Sequence, residues 1–284
     1  MFRNVLVAMD LSPATEALVS ALPGLRDLGT EQIGLIHVAK PFRDPVSQSI
    51  REVEKVRERL QRLADRLSED GFEVRIDVPS GSASAEVVKA AESRDADLIL
   101  VGTRSHTRIR EAFVGSVAWD VVRRASKPVL LQRIEANRPD PEAALEAKGT
   151  GAPSHVIYPT DFSEAAERAF PLVLALAGQN VPSVTLVHVI GDSDGGAREE
   201  ARERLQALAD QVREAGAGDC RVIARVGTPY EEILNAGARD PHAMVVMATQ
   251  GRGFLPEIVM GSVSRQVVRQ ASARVLLVPD GSSD

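Results

Sequence analysis

Ala243-Met-Val-Val-Met247, running into Ala248-Thr-Gln-Gly251-Arg252-Gly253-Phe-Leu-Pro-Glu-Ile-Val-Met-Gly261-Ser262-Val263, is the stretch whose reading decides the fold. The continuous apolar run reads as a buried strand, and the spacing of Val263, Val267, Val268 and Ala271 reads as a helix. Glycines lie between them. Lacking a Cβ, they let peptide N–H groups turn toward an anion and let the backbone approach it closely. Ser262 stands where the helix begins. Its hydroxyl is placed to cap that helix, and the first N–H groups together with the dipole favour phosphate. The same order of parts occurs earlier, as Leu98-Ile-Leu-Val101, Gly102-Thr103-Arg104-Ser105, nine residues, then Gly115-Ser116-Val117. A phosphate cradle is written twice.

Outward from these cradles, apolar runs and helical patterns alternate. Asn4 to Met9 is a short strand ending at Asp10, and Ser12-Pro13 opens a helix toward Leu28 that Pro23-Gly24 is expected to bend or shorten. Ile33 to Val38 is a second strand. Ile50 to Glu69 places Val53, Val56, Leu60, Leu63 and Leu67 on one helix face, and Asp70-Gly71 stops it. Phe72 to Val78 alternates as a half-buried strand does, as at a sheet edge. A short helix (Ala85 to Ser93), the cradle and its helix (Ser116 to Ala125), and the run Val129 to Leu131 complete a βαβαβαβαβ unit. Such alternation demands parallel strands with right-handed crossovers, hence a doubly wound α/β sheet.

The unit then repeats. Val156-Ile-Tyr-Pro159-Thr160 ends at Asp161, and Val184 to Val189 matches the strand that ends His37-Val38. Matching positions are 151 residues apart up to His37 and His188, and 146 apart from Gly81 and Gly227 onward. A period this long marks two domains rather than a solenoid. The expected division is 1–133, a charged, Pro- and Gly-containing linker over 134–153 with a helical turn in its middle, and 154–284.

Composition narrows the function classes. With 44% hydrophobic and 26% charged residues, the chain is ordinary globular material, and no apolar run reaches the ~20 residues of a membrane span. The net charge of −6 and 4% aromatic content oppose a nucleic-acid binder. Met1 to Met9 reads as a first strand rather than a secretory h-region, and Cys220 is the single cysteine, so a reducing cytoplasm is the simplest compartment.

Taken together, Ala8-Met-Asp10 and Pro159-Thr160-Asp161, the His-Val strand ends and the twofold glycine pattern resemble tandem universal stress proteins, over the whole chain apart from the linker. The family's nucleotide-binding members carry G-x-x-G, nine residues, then G-[ST]. Each copy here departs once, with Ser105 at the second glycine position of the first and Ala248 at the first glycine position of the second. The resemblance implies a five-stranded parallel sheet per repeat, two repeats packed as a pseudo-dimer through their fifth strands, and room for a homodimer of chains. It also implies ATP, with or without Mg²⁺, across the carboxyl edges of the first and fourth strands. Asp10 or Asp161 would face ribose or adenine, Val38 or Val189 would offer backbone groups to the base, and the glycine loops would hold the phosphates.

Plainer roles compete with these. Asp10 and Asp161 suit helix caps, His37 and His188 suit packed core histidines, and Arg104, Arg108, Arg110 and Arg252 suit solvated loops. There is no G-x-x-x-x-G-K-[ST], no G-x-S-x-G and no His–carboxylate motif, so no dedicated catalytic machinery is read, slow ATP hydrolysis apart. The expected function is a stress-response sensor or adaptor binding ATP in at least one repeat. The alternative is an interaction scaffold with degenerate pockets.

Overall fold

The computed structural model describes residues 1–39, 46–105, 112–136, 145–179, 181–191, 195–251 and 260–280. In repeat one, β1 (Asn4–Ala8), α1 (Ala14–Ala21), β2 (Gln32–Ile36), α2 (Val46–Glu69), β3 (Glu73–Asp77), α3 (Ala83–Ser93) and β4 (Leu98–Ser105) follow in order. A two-residue strand β5 (Ala112–Phe113), then α4 (Ser116–Arg124), β6 (Val129–Ala136) and β7 (Leu145–Ala147) come next. Repeat two holds β8 (His155–Pro159), α5 (Glu164–Ala177), β9 (Ser183–Ile190), α6 (Gly195–Glu214), β10 (Asp219–Val226), α7 (Pro229–Ile233), β11 (Ala243–Ala248), α8 (Ser262–Gln270) and β12 (Arg274–Val278). As expected, Pro23-Gly24 shortens the first helix: the α-helix ends at Ala21 and the chain tightens into a 3₁₀ segment, Leu22–Leu28.

The strands order as β3-β2-β1-β4-β6 and β10-β9-β8-β11-β12, so each half is a parallel sheet with one topology. The halves are joined edge to edge. β12 pairs antiparallel with β6 through Val275 and Leu131, Leu276 and Leu130, and Leu277 and Val129. The expected α/β architecture holds, with one continuous sheet running through both halves.

Helices on both faces bury both sides of the inner strands, which is why those strands read as unbroken apolar runs. Val5 and Val7 enter one core layer while Leu6, between them, enters the other. In β11 every residue from Ala243 to Ala248 is buried. On α2, Leu60, Leu63 and Leu67 are buried while Val53 and Val56 are half-buried, and Gly71 ends the helix in the left-handed region at φ 86°. β3 and β10 lie at the two outer edges, and β3 has no fully buried residue.

The segment read as a linker is partly sheet. β6 runs on to Ala136, and β7 returns antiparallel against it from Ala147 opposite Ile134. Beyond it, Asp27 accepts the Ala152 N–H at 3.2 Å, and a Cβ on Gly24 would collide with the Gly151 backbone. The helical turn expected in the middle of the linker falls at 137–144, outside the described residues.

Tyr158 fixes the start of α5. It is 1% exposed, and its hydroxyl donates to the Ala166 carbonyl at 2.7 Å; burial pushes its pKa up to about 12. Tyr158→Phe is expected to cost about 1–2 kcal/mol, read as a lower urea midpoint at unchanged m-value.

Candidate functional site

In each repeat the chain turns in opposite directions from the first and fourth strands, and this leaves a crevice at their carboxyl ends. Both crevices are open clefts, of about 560 Å³ in repeat two and about 480 Å³ in repeat one. Both volumes lie in the ~300–1,000 Å³ range of small-molecule sites.

In cleft two, Pro159, Thr160 and Asp161 approach from the end of β8, Val189 from β9, and Ala248 and Gly251 from the end of β11. Gly261, Ser262 and Val263 close it from the start of α8. Met247, Met260 and Ile233 add apolar wall, and Gln250, Ser264 and Arg265 add polar atoms that sequence reading did not single out. In cleft one, Ala8 (the last residue of β1), Asp10 (after β1), Val38 (after β2), Gly102 and the Gly115-Ser116-Val117 turn take the matching places. Thr103 does not line it. It is buried within β4, and its hydroxyl donates to the Gln132 carbonyl at 3.3 Å, because β4 continues three residues past Gly102 as strand rather than loop. Arg252 and Gly253, like Arg108 and Arg110, lie outside the described residues.

The aspartates do not cap helices. Asp10 Oδ1 accepts the Ser12 N–H at 2.9 Å, and Asp161 Oδ1 accepts the Ser163 N–H at 3.1 Å and the Ser163 hydroxyl at 2.6 Å. The residues next to them, Leu11 at φ 53° and Phe162 at φ 57°, are held in the left-handed region. Such strain costs about 1–3 kcal/mol at a non-glycine residue and occurs where surrounding structure imposes it. The α5 cap proper is Ser163, whose hydroxyl accepts the Ala166 N–H at 3.3 Å.

The histidines support this turn. His37 Nδ1 lies 2.9 Å from the Met9 carbonyl and His188 Nδ1 2.8 Å from the Thr160 carbonyl. A carbonyl only accepts, so Nδ1 carries the hydrogen in both rings. Met9 and Thr160 N–H groups donate in turn to the Ile36 and Val187 carbonyls, each at 2.9 Å. Strand alternation then aims the backbone groups of Val38 and Val189 along the same edge, past the ends of β1 and β8 and toward the clefts.

Ser262 and Ser116 are not N-caps. Each is the first helical residue, preceded by Gly261 or Gly115 as the cap, and neither helix receives a side-chain cap hydrogen bond. The first-turn amides of α4 and α8 are therefore not taken by a serine hydroxyl. The glycines also serve differently from the expectation: Gly115 (φ −58°, ψ 153°) and Gly261 (φ −61°, ψ 153°) adopt backbone open to any residue. What they give is room. A Cβ on Gly115 would meet nothing within 4 Å, and one on Gly261 nothing closer than 3.7 Å. Gly251 differs, since a Cβ there would stand 2.5 Å from Asp161 Oδ2.

With this geometry in view, the profile of the universal stress protein family matches residues 1–133 and 153–279. The chain belongs to the universal stress protein family. A universal stress protein of Mycolicibacterium smegmatis is 25% identical over 298 residues, covering 97% of this chain and 96% of that protein. One of Methanocaldococcus jannaschii is 27% identical over 151 residues, covering 43% of this chain and 93% of its own length. The crystal structure of a universal stress protein from Archaeoglobus fulgidus superposes with a TM-score of 0.78 at 22% identity, over 98% of both chains, and so shares the fold. As a tandem universal stress protein, the chain carries two family units in register. Among the described residues, no helix is long and apolar enough to cross a membrane.

Proposed function

We propose that this tandem universal stress protein binds ATP in the cleft of repeat two and acts as a cytoplasmic nucleotide-linked sensor or adaptor, not as a dedicated catalyst. One observation carries the reading. The uncapped start of α8 stands on a glycine that leaves room at its Cβ position, across a cleft from Asp161 and the open edge of Val189. A helix start of this kind favours phosphate oxygens. Arg265 on the same helix lines the cleft and adds positive charge. At the other end, a donor–acceptor edge at Val189 suits the rim of an adenine, and Asp161 suits a ribose hydroxyl. Mg²⁺, when present, would ride on the phosphates.

The β6–β12 junction supports treating the repeats as two halves of a pseudo-dimer, so that occupancy of one half is felt along a shared sheet. Isothermal titration of the full chain with ATP, with and without Mg²⁺, tests the reading. Saturable binding at one site is expected, and no heat under either condition would end it.

A further inference from the structure

We propose that the cleft of repeat one is a second, different site, taking an adenine nucleoside with at most one phosphate, while repeat two takes the polyphosphate. The inference rests on the nucleotide reading of these clefts and concerns how they have diverged.

The backbone supplies the first observation. In repeat two, β11 ends at Ala248, and Gln250 and Gly251 leave the sheet to line the cleft. In repeat one, β4 continues to Ser105. Its Gly102, Thr103 and Arg104 pair with Gln132, Arg133 and Ile134 of β6. Arg104 and Ser105 pair also with Phe113 and Ala112 of β5. Arg104 is thus paired on both edges, and β5 lies along the edge that β1 vacates beyond Ala8 and Val101. The stretch Gly102–Ser105, whose counterpart in repeat two leaves the sheet, is instead engaged in sheet ladders. Among the described residues, what cleft one keeps for an anion is the start of α4, enough for a single anionic group.

The side chains agree. Trp119 stands at the position matching Arg265, so cleft one lacks that cation. Ile134, on the overrunning part of β6, lines cleft one, with its Cδ1 2.9 Å from where a Gly102 Cβ would be. Val117, at the mouth, is one of two exposed large apolar side chains among the described residues. These surfaces suit the faces of a base and sugar more than a chain of phosphates.

Thr15 adds an independent observation. It lines cleft one and is 2% exposed, and its hydroxyl has no hydrogen-bond partner. The matching residue lining cleft two is Ala166, which has none to satisfy. A rotation about χ1 exchanges the threonine methyl and hydroxyl, bringing a hydrogen-bonding group to the cleft wall.

Trp119 provides the test, since it is the single tryptophan and sits in the first turn of α4, where its backbone N–H donates to the Gly115 carbonyl at 3.1 Å. Adenosine, AMP and ATP are titrated into the full chain while Trp119 emission is followed, in wild type, Gly261→Val and Thr15→Val. Adenosine and AMP are expected to give the same saturable change in wild type and Gly261→Val, with ATP at least tenfold weaker by this signal. Thr15→Val is expected to weaken adenosine about fivefold or more, without altering ATP affinity measured calorimetrically at repeat two. A flat response to adenosine and AMP overturns the inference, as does ATP matching AMP or an unchanged adenosine affinity in Thr15→Val. Absence of ATP binding at repeat two is read by calorimetry alone, so it strikes the parent reading and is told apart from a silent Trp119.

Discussion

Gly261→Val is expected to weaken ATP binding at repeat two by at least about 100-fold, about 2.7 kcal/mol, with the fold intact. The size follows from where the new atoms go. Gly261 has φ −61° and ψ 153°, which valine adopts without strain, and its Cβ would sit 3.7 Å from the Thr249 carbonyl at ordinary contact. The two methyls then occupy the space in front of the α8 amides, where a phosphate has to reach within about 3 Å to accept hydrogen bonds. The cost to the protein itself is small. Valine is a poorer N-cap than glycine by up to about 1 kcal/mol, which lowers Tm by no more than about 4 °C. Titration calorimetry and a thermal melt on the same sample separate the two effects. Wild-type affinity in a folded variant would mean that phosphate does not sit at this helix start.

Arg274→Met is expected to raise stability by about 1–3 kcal/mol, or roughly 3–8 °C in Tm. Arg274 opens β12, is 2% exposed, and has no hydrogen-bond partner at Nε or Nη2. Burial brings its pKa down to about 10. The lowering means that keeping the charge inside carries a penalty, on the order of a few kcal/mol. Because the folded value lies below the unfolded one, the penalty is constant at pH values under 10 and fades as pH rises above it. Methionine fills a similar volume without the charge, so the gain should be full at pH 7 and shrink in strong alkali. Arg133 on the partner strand β6 is similarly buried, but its guanidinium donates to the Val268 carbonyl near the end of α8, so Arg133→Met gains less. A lower Tm in Arg274→Met would mean that the buried charge is compensated.

How legible these structural features are in the sequence varies with the kind of signal. Strand ends at Asp10 and Asp161 were legible, because a buried parallel strand is an apolar run and its end is a change of composition. The Gly115 and Gly261 turns were legible for the same reason, although the expected part for Ser116 and Ser262 was displaced by one residue. A serine beside a helix start can be cap or first residue, and only the dihedral angles of the preceding glycine decide between them. Thr103 was misplaced because Gly102-Thr-Arg-Ser105 has the composition of a turn. What makes it strand is pairing with Ala112-Phe113 and with the far end of β6, contacts that no local window contains. The continuation of β6 and the short β7 were hidden in a polar segment for the same reason. Buried Arg133 and Arg274 contradict the ordinary placement of arginine, and nothing in their neighbours announces it.

The antiparallel junction of β6 with β12 has an evolutionary consequence. Where two identical chains meet at an edge, every substitution appears twice, and neither pocket can change without the other. Fusing the copies into one polypeptide removes that constraint and makes their partnership independent of dilution. One half then carries a longer strand, a tryptophan and a threonine where the other carries a shorter strand, an arginine and an alanine.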